Sequence, residues 1–197
     1  MKRKLWEEQR LFVHSALKRY RDIGMLFPCS YRTAEKAIAL LPIERMKKII
    51  EVGSGTGRLT RTIQKRLAPE SKLFCIEKNP AFCDYLKKAL GNSNVVVVNE
   101  SVENILRFHP EVAFPSADCV VLSLPAAMVS DELRLSWLEF AHTVLNKNGY
   151  CLIHQFLPVL RRYISDADWV EQSRRWVMGF PPYFFEVYQK RARSQKS

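Results

Sequence analysis

The spacing of apolar positions changes several times along the chain. Over residues 4–21, Trp6, Val13, Ala16, Leu17 and Tyr20 recur three, four and seven residues apart. Arg3, Glu7, Arg10, His14, Lys18 and Arg21 fill the opposite face, so the spacing predicts an amphipathic helix. Gly24 and Pro28 interrupt it, and a second helix is predicted over 30–41, ended by Pro42. Short apolar runs then alternate with helical stretches. Strands are predicted at 48–52, 73–77, 95–98, 118–123 and 150–156. Helices are predicted from Gly57 to about Leu67, from Asn79-Pro80 to Leu90, around 102–106, and over 131–145. This alternation argues for a mostly parallel sheet with helices on both faces. Residues 166–176 read as a helix and 184–189 as a strand behind Pro181-Pro182, which would close the sheet with an antiparallel pair. No internal repeat or linker interrupts the pattern.

With 197 residues, 47% hydrophobic and 26% charged, the chain can bury a core as one domain, which excludes disorder as its default state. No apolar run approaches the ~18 residues of a membrane-spanning helix. The beginning, Met1-Lys2-Arg3-Lys4, has no apolar stretch behind it of the kind an export signal needs. Five scattered cysteines make no C-x-x-C pair and four histidines show no ligand spacing, so a reducing cytoplasm and no structural metal are expected.

The net charge of +11 calls for an anionic partner, and its placement narrows the choice. Residues 1–21 carry seven basic and two acidic side chains, and residues 186–197 carry four and one. The two ends therefore hold +8, and the 164 residues between them hold +3. The expected organisation is an N-terminal helical extension over 1–41, a body over 42–190 and a basic tail over 191–197.

The strongest motif is Ile49-Ile50-Glu51-Val52-Gly53-Ser54-Gly55-Thr56-Gly57-Arg58: a buried strand, a turn with glycine at every second position, and a helix. It is not the dinucleotide pattern G-x-G-x-x-G, whose third glycine would fall on Arg58, nor a phosphate loop, since no G-K-[ST] follows. Glu51 just before the turn would repel a pyrophosphate and suit an ammonium group. Glu77, 20 residues beyond Gly57, stands where a carboxylate accepts from ribose hydroxyls.

Together these residues resemble the class I S-adenosylmethionine-dependent methyltransferases. The resemblance implies a Rossmann-like α/β fold, a mostly parallel seven-stranded sheet with helices on both faces and an antiparallel final strand. It implies S-adenosyl-L-methionine as cofactor, with Glu51, Gly53, Ser54, Gly55 and Gly57 around its methionine half. Glu77 would hold the ribose, Lys78 and Asn79 would lie beside the adenine, and Glu100 and Ser101 would mark the third-strand end. Ser123 follows the fourth strand. Another nucleotide-binding α/β protein using the same turn is the alternative.

The acceptor is read from Leu122-Ser123-Leu124-Pro125-Ala126-Ala127. Amino-methylating nucleic-acid enzymes resemble [DNS]-P-P-[YFW], whose aromatic stacks on a flipped base. Ala126 stands in that position here, which demotes nucleic acid. Bacterial phospholipid N-methyltransferases of the PmtA type are more similar. The shared elements are the basic N-terminal helix, Gly24 to Ser30, Ser123-Leu124-Pro125, Gln155-Phe156, and Pro181-Pro182 before an aromatic strand. That resemblance implies a phosphatidylethanolamine-type head group as acceptor. It also implies an anionic membrane surface as partner, met through Lys2, Arg3, Lys4, Arg10, Lys18, Arg19 and Arg21. Such an enzyme would sit peripherally on the inner face of the membrane, as a monomer. Tyr31 and Tyr163 are the expected catalytic residues near the amine, with Tyr20 behind them. An RNA base methyltransferase, a small-molecule methyltransferase and a cofactor-binding protein without turnover remain the alternatives. Packing of helix 4–21 on the core also remains open.

Overall fold

The computed structural model describes residues 29–90, 94–113, 116–178 and 182–191. The expected helix over 4–21, its seven cations, Tyr20 and residues 192–197 lie outside the described residues.

Helix α1 (Tyr31–Ile38) starts where Ser30 caps it, accepting from the Thr33 amide at 3.0 Å. Next come β1 (Lys48–Val52), α2 (Arg58–Gln64), β2 (Lys72–Ile76), α3 (Pro80–Leu90) and β3 (Val95–Val98). The chain continues through α4 (Val102–Phe108), α5 (Pro110–Ala113), β4 (Ala117–Leu122), α6 (Asp131–Val144) and β5 (Leu145–Gln155). It closes with β6 (Trp169–Val177) and β7 (Tyr183–Lys190).

The seven strands form one sheet in the order β3-β2-β1-β4-β5-β7-β6. β1 to β5 pair in parallel, and β7 runs antiparallel to both β5 and β6. Parallel strands are apolar on both faces because helices cover both. Ile50, Val52, Val120, Leu122, Cys151 and Ile153 pack with α4 and α6 on one side. Ile49, Leu73, Cys75, Cys119, Val121 and Leu152 pack with α1 and α2 on the other. Residues 29–41 are thus built onto the sheet through Ala34, Ala37, Ile38 and Leu41.

The ending corrects one expectation. Residues 166–176 do not form a helix; 169–177 form the edge strand β6, paired with β7 from Trp169↔Lys190 to Val177↔Tyr183. Glu, Gln and Arg favour helices in isolation, but here they are the exposed residues of a charged sheet edge. A register shift between Glu171 and Ser173 blurs the alternation further.

Candidate active site

The parallel strands end together at their carboxyl ends, and the glycine turn is folded tightly against two of them. The Gly53 amide donates to the Ile76 carbonyl at 2.9 Å, and the Ser123 amide to the Val52 carbonyl at 2.9 Å. Gly53 has φ +79°, and a Cβ there would lie 2.4 Å from the Ser123 carbonyl oxygen. Only glycine fits both demands. Gly57 has φ +84° as it enters α2, where a Cβ would meet Leu86 at 2.4 Å.

Three carboxylates surround this turn. Glu51 is fully buried, and one oxygen accepts from the Thr60 hydroxyl at 2.6 Å. Burial pushes its pKa from 4.5 to about 7, with hydrogen bonds opposing the rise and the nearby Glu77 adding to it. Glu77 accepts from the Gly55 amide at 2.8 Å and the Asn79 amide at 2.9 Å, so it staples the turn to β2. Burial raises its pKa as well, and those amide bonds pull it back. Glu100 turns toward its own helix, accepting from Asn104 at 3.0 Å and the Ser101 amide at 2.8 Å. Those bonds, that from Asn104 first, hold its carboxyl below the usual range.

These groups line a cavity of about 380 Å³ across the ends of β1 to β5. Of the residues singled out by motif, Glu51, Gly53, Ser54, Gly55, Gly57, Glu77, Lys78, Glu100, Ser101 and Ser123 are in its wall. Asn79 is not; its side chain accepts from the Ala81 amide and caps α3. Neither tyrosine is brought to the cavity. Tyr31 lies against the Arg58 guanidinium at 5.4 Å, and the Tyr163 hydroxyl is 3.4 Å from Arg134 while its ring packs on the core.

Other wall residues have no role assigned by the sequence reading. Arg58 is buried and donates to the Cys29 carbonyl at 2.7 Å, fastening the incoming segment at the cavity. Trp137 on α6 donates to Glu103 at 2.8 Å, and both line the cavity. His154, at the end of β5, is 2.8 Å from the Ser123 hydroxyl through Nδ1. A sequence signal for it exists: two polar residues, His154-Gln155, follow the apolar run 150–153 at the end of β5, where parallel sheets place ligand crevices.

The sequence profile of a family described as "Methyltransferase domain" matches residues 49–149, just over half of the chain. The chain belongs to this family of S-adenosylmethionine-dependent methyltransferases. A methyltransferase of Singulisphaera acidiphila, "Ornithine lipid N-methyltransferase", is 27% identical over 140 residues, 71% of this chain and 73% of its own length. "Probable ribosomal RNA small subunit methyltransferase A" of Thermococcus sibiricus is 28% identical over 130 residues, 66% of this chain. This chain spans only 44% of that relative's length. Among solved structures, the O-methyltransferase from Bacillus cereus in complex with SAH superposes with a TM-score of 0.73 at 12% identity. It covers 96% of this chain and 90% of its own, and the shared feature is the fold.

The methyltransferase cavity fits its cofactor by chemistry. S-adenosylmethionine carries a sulfonium and an ammonium, and the wall offers Glu51, Glu77, Glu100 and Glu103. Among the described residues, Glu51 Oε1 and Ser54 Oγ are buried without a hydrogen-bond partner beside the glycine cradle. Those are groups that a polar ligand would satisfy.

Proposed function

We propose that this methyltransferase transfers methyl groups to the amine of a phosphatidylethanolamine-type lipid head group at the cytoplasmic face of a membrane. The observation that carries the reading is the likeness to the ornithine lipid N-methyltransferase, which runs over 140 residues, beyond the family-matched 49–149. Bound S-adenosylmethionine supplies an electrophilic methyl group; the chain must present an amine in line with it and keep its lone pair available.

The surroundings of the cavity support a lipid. A smaller cavity of about 40 Å³ shares Ser123, Leu124, Pro125 and His154 with the larger one and is closed by Gln155, Phe156 and Tyr183. Past these strand ends the surface exposes Leu157 (49%), Trp176 (60%) and Met178 (77%). Arg161, Arg162 and Arg175 are exposed close by in sequence. Apolar side chains among arginines suit the boundary of an anionic bilayer. Among the described residues no helix is long and apolar enough to cross a membrane, so contact would be peripheral.

A nucleic-acid acceptor is the rival, through the Thermococcus relative. Against it, Ala126 is 2% exposed and packs in the core, so the position of a base-stacking aromatic offers no platform. Expression in a cell whose phosphatidylethanolamine is normally unmodified should yield mono-, di- or trimethylated lipid. Folded, cofactor-binding protein that leaves the lipids unchanged while labelling total RNA would replace this reading with the rival.

A further inference from the structure

His154 is placed oddly for a core residue. It is 5% exposed, and its ring stacks on Tyr183 and Phe185 with centroids 5.0 Å away in each case. A phenylalanine could stack there without a polar atom to desolvate. Nδ1 lies 2.8 Å from Ser123 Oγ, while Nε2 is buried with no hydrogen-bond partner among the described residues. A buried ring nitrogen left in that condition costs free energy. The imidazole's visible return is its hold on one hydroxyl.

That hydroxyl stands where the two cavities meet. Ser123 and His154 line both the cofactor cavity and the small cavity. The Ser123 backbone is fixed on both sides, by its amide bond to Val52 and by Gly53 against its carbonyl. The hydroxyl rotor is what remains to be set. A hydroxyl free to rotate can donate to an amine nitrogen and so occupy the lone pair needed for reaction. A hydroxyl whose proton is already committed to Nδ1 presents only oxygen lone pairs, which can accept from an amine N–H. The small cavity, about 40 Å³, is large enough to admit an amine group beside this hydroxyl.

We propose that His154 is a positioning residue: by accepting the Ser123 hydroxyl proton at Nδ1, it makes Ser123 Oγ an acceptor for the N–H of the methyl-acceptor amine. This rests on the amine reading of the acceptor. The arrangement needs a neutral ring, since an imidazolium would donate to Ser123 and release its hydroxyl proton toward the amine. Burial keeps the ring neutral by pushing its pKa down to about 4. A neutral ring also places no positive charge beside a cationic cofactor. The contact needs an N–H, so the device acts on the first transfer, keeps one N–H to hold in the second, and has nothing to hold in a dimethylated amine.

The test uses the full-length enzyme on vesicles of phosphatidylethanolamine and of its N-methyl and N,N-dimethyl forms. His154→Phe keeps the stacked ring and removes Nδ1; it should lower kcat for the first transfer by about tenfold, the weight of one hydrogen bond. Transfer to the dimethylated lipid should change by less than about twofold. His154→Asn, whose Oδ1 can take the place of Nδ1, should restore most of the first transfer. Equal losses on all three lipids, or an Asn variant no better than Phe, would overturn the proposal. The second measurement is the 15N spectrum of His154 in the wild-type complex with S-adenosylhomocysteine, which should show a bare Nδ1 and a protonated Nε2. A protonated Nδ1 overturns the proposal whatever the substrate is. Wild-type enzyme inactive on every vesicle would instead sink the lipid reading and leave the tautomer to decide the role of His154.

Discussion

At the scale of single residues, the site holds two buried titratable groups with opposite displacements. Glu51 has its pKa raised from 4.5 to about 7, and His154 has its pKa lowered from 6.5 to about 4, burial being the main cause in both. A raised carboxyl binds its proton more tightly in the native state than in the unfolded chain. Its contribution is therefore complete below pH 4.5 and lost as pH rises through 7. A lowered imidazole works the other way: its contribution is complete above pH 6.5 and lost as pH falls through 4. Each displacement corresponds to about 3 kcal/mol across its window. The two slopes largely cancel in the cofactor-free protein, although Glu77 adds to the Glu51 side. Urea unfolding at a series of pH values should separate them. Relative to wild type, Glu51→Gln should gain about 3 kcal/mol between pH 4.5 and 7, and His154→Phe should gain a similar amount on going from pH 6.5 to 4. Parallel profiles for all three proteins would show that neither group titrates abnormally.

At the scale of elements, legibility followed how local each interaction is. The strands β1 to β4 are short apolar runs, and the sequence reading places them to within a residue; β5 starts at Leu145, five residues before the expected 150, because the polar Asn146 to Asn148 read as a turn yet extend the strand. The glycine turn and the carboxylates are equally readable, since a strand end and the turn after it lie next to each other in the chain. β6 carries no apolar run for a sequence reading to find, because Glu171, Gln172, Arg174 and Arg175 are all exposed at the sheet edge. What makes it a strand is β7, across a pairing that no local window contains. The Ser123–His154 and Arg58–Cys29 contacts are hidden for the same reason, spanning 31 and 29 residues. One such non-local contact secures the β5–β7–β6 corner. Glu186, fully buried on β7, meets Arg174 Nε at 3.3 Å, Gln155 Nε2 at 3.1 Å and the Tyr188 hydroxyl at 3.3 Å. Arg174→Met should leave that buried carboxylate without its cation and destabilise the protein by roughly 2 kcal/mol, less than for a fully enclosed pair because Arg174 is partly exposed. Adding Glu186→Gln should recover part of the loss in a double-mutant cycle. Additive losses would mean that the ion pair contributes nothing.

At the scale of the whole molecule, the question is what an excess of +11 is for. Part of the C-terminal share is consumed within the fold. Lys190 Nζ donates to the His142 and Leu145 carbonyls at 2.6 and 2.8 Å, completing the end of α6, and Arg191 donates to the Trp169 carbonyl at 3.4 Å. Cations tied to backbone in this way have fewer donors left for an outside partner. On the proposed membrane reading, Lys2, Arg3, Lys4, Arg10, Lys18, Arg19 and Arg21 would then carry the larger share of the contact, beside the exposed Arg161, Arg162 and Arg175. At about 1 kcal/mol for each cation near an anionic bilayer, the seven together outweigh the two glutamates at positions 7 and 8. Full-length protein should therefore co-sediment with phosphatidylglycerol-containing vesicles at low salt and far less with neutral ones. Raising the salt to about 1 M, where the screening length is ~3 Å, should release most of it. Changing the seven cations to glutamine should reduce binding to anionic vesicles by several orders of magnitude. Binding that ignores both salt and the seven substitutions would leave the apolar rim around Trp176 and Met178 as the contact that holds the enzyme to lipid.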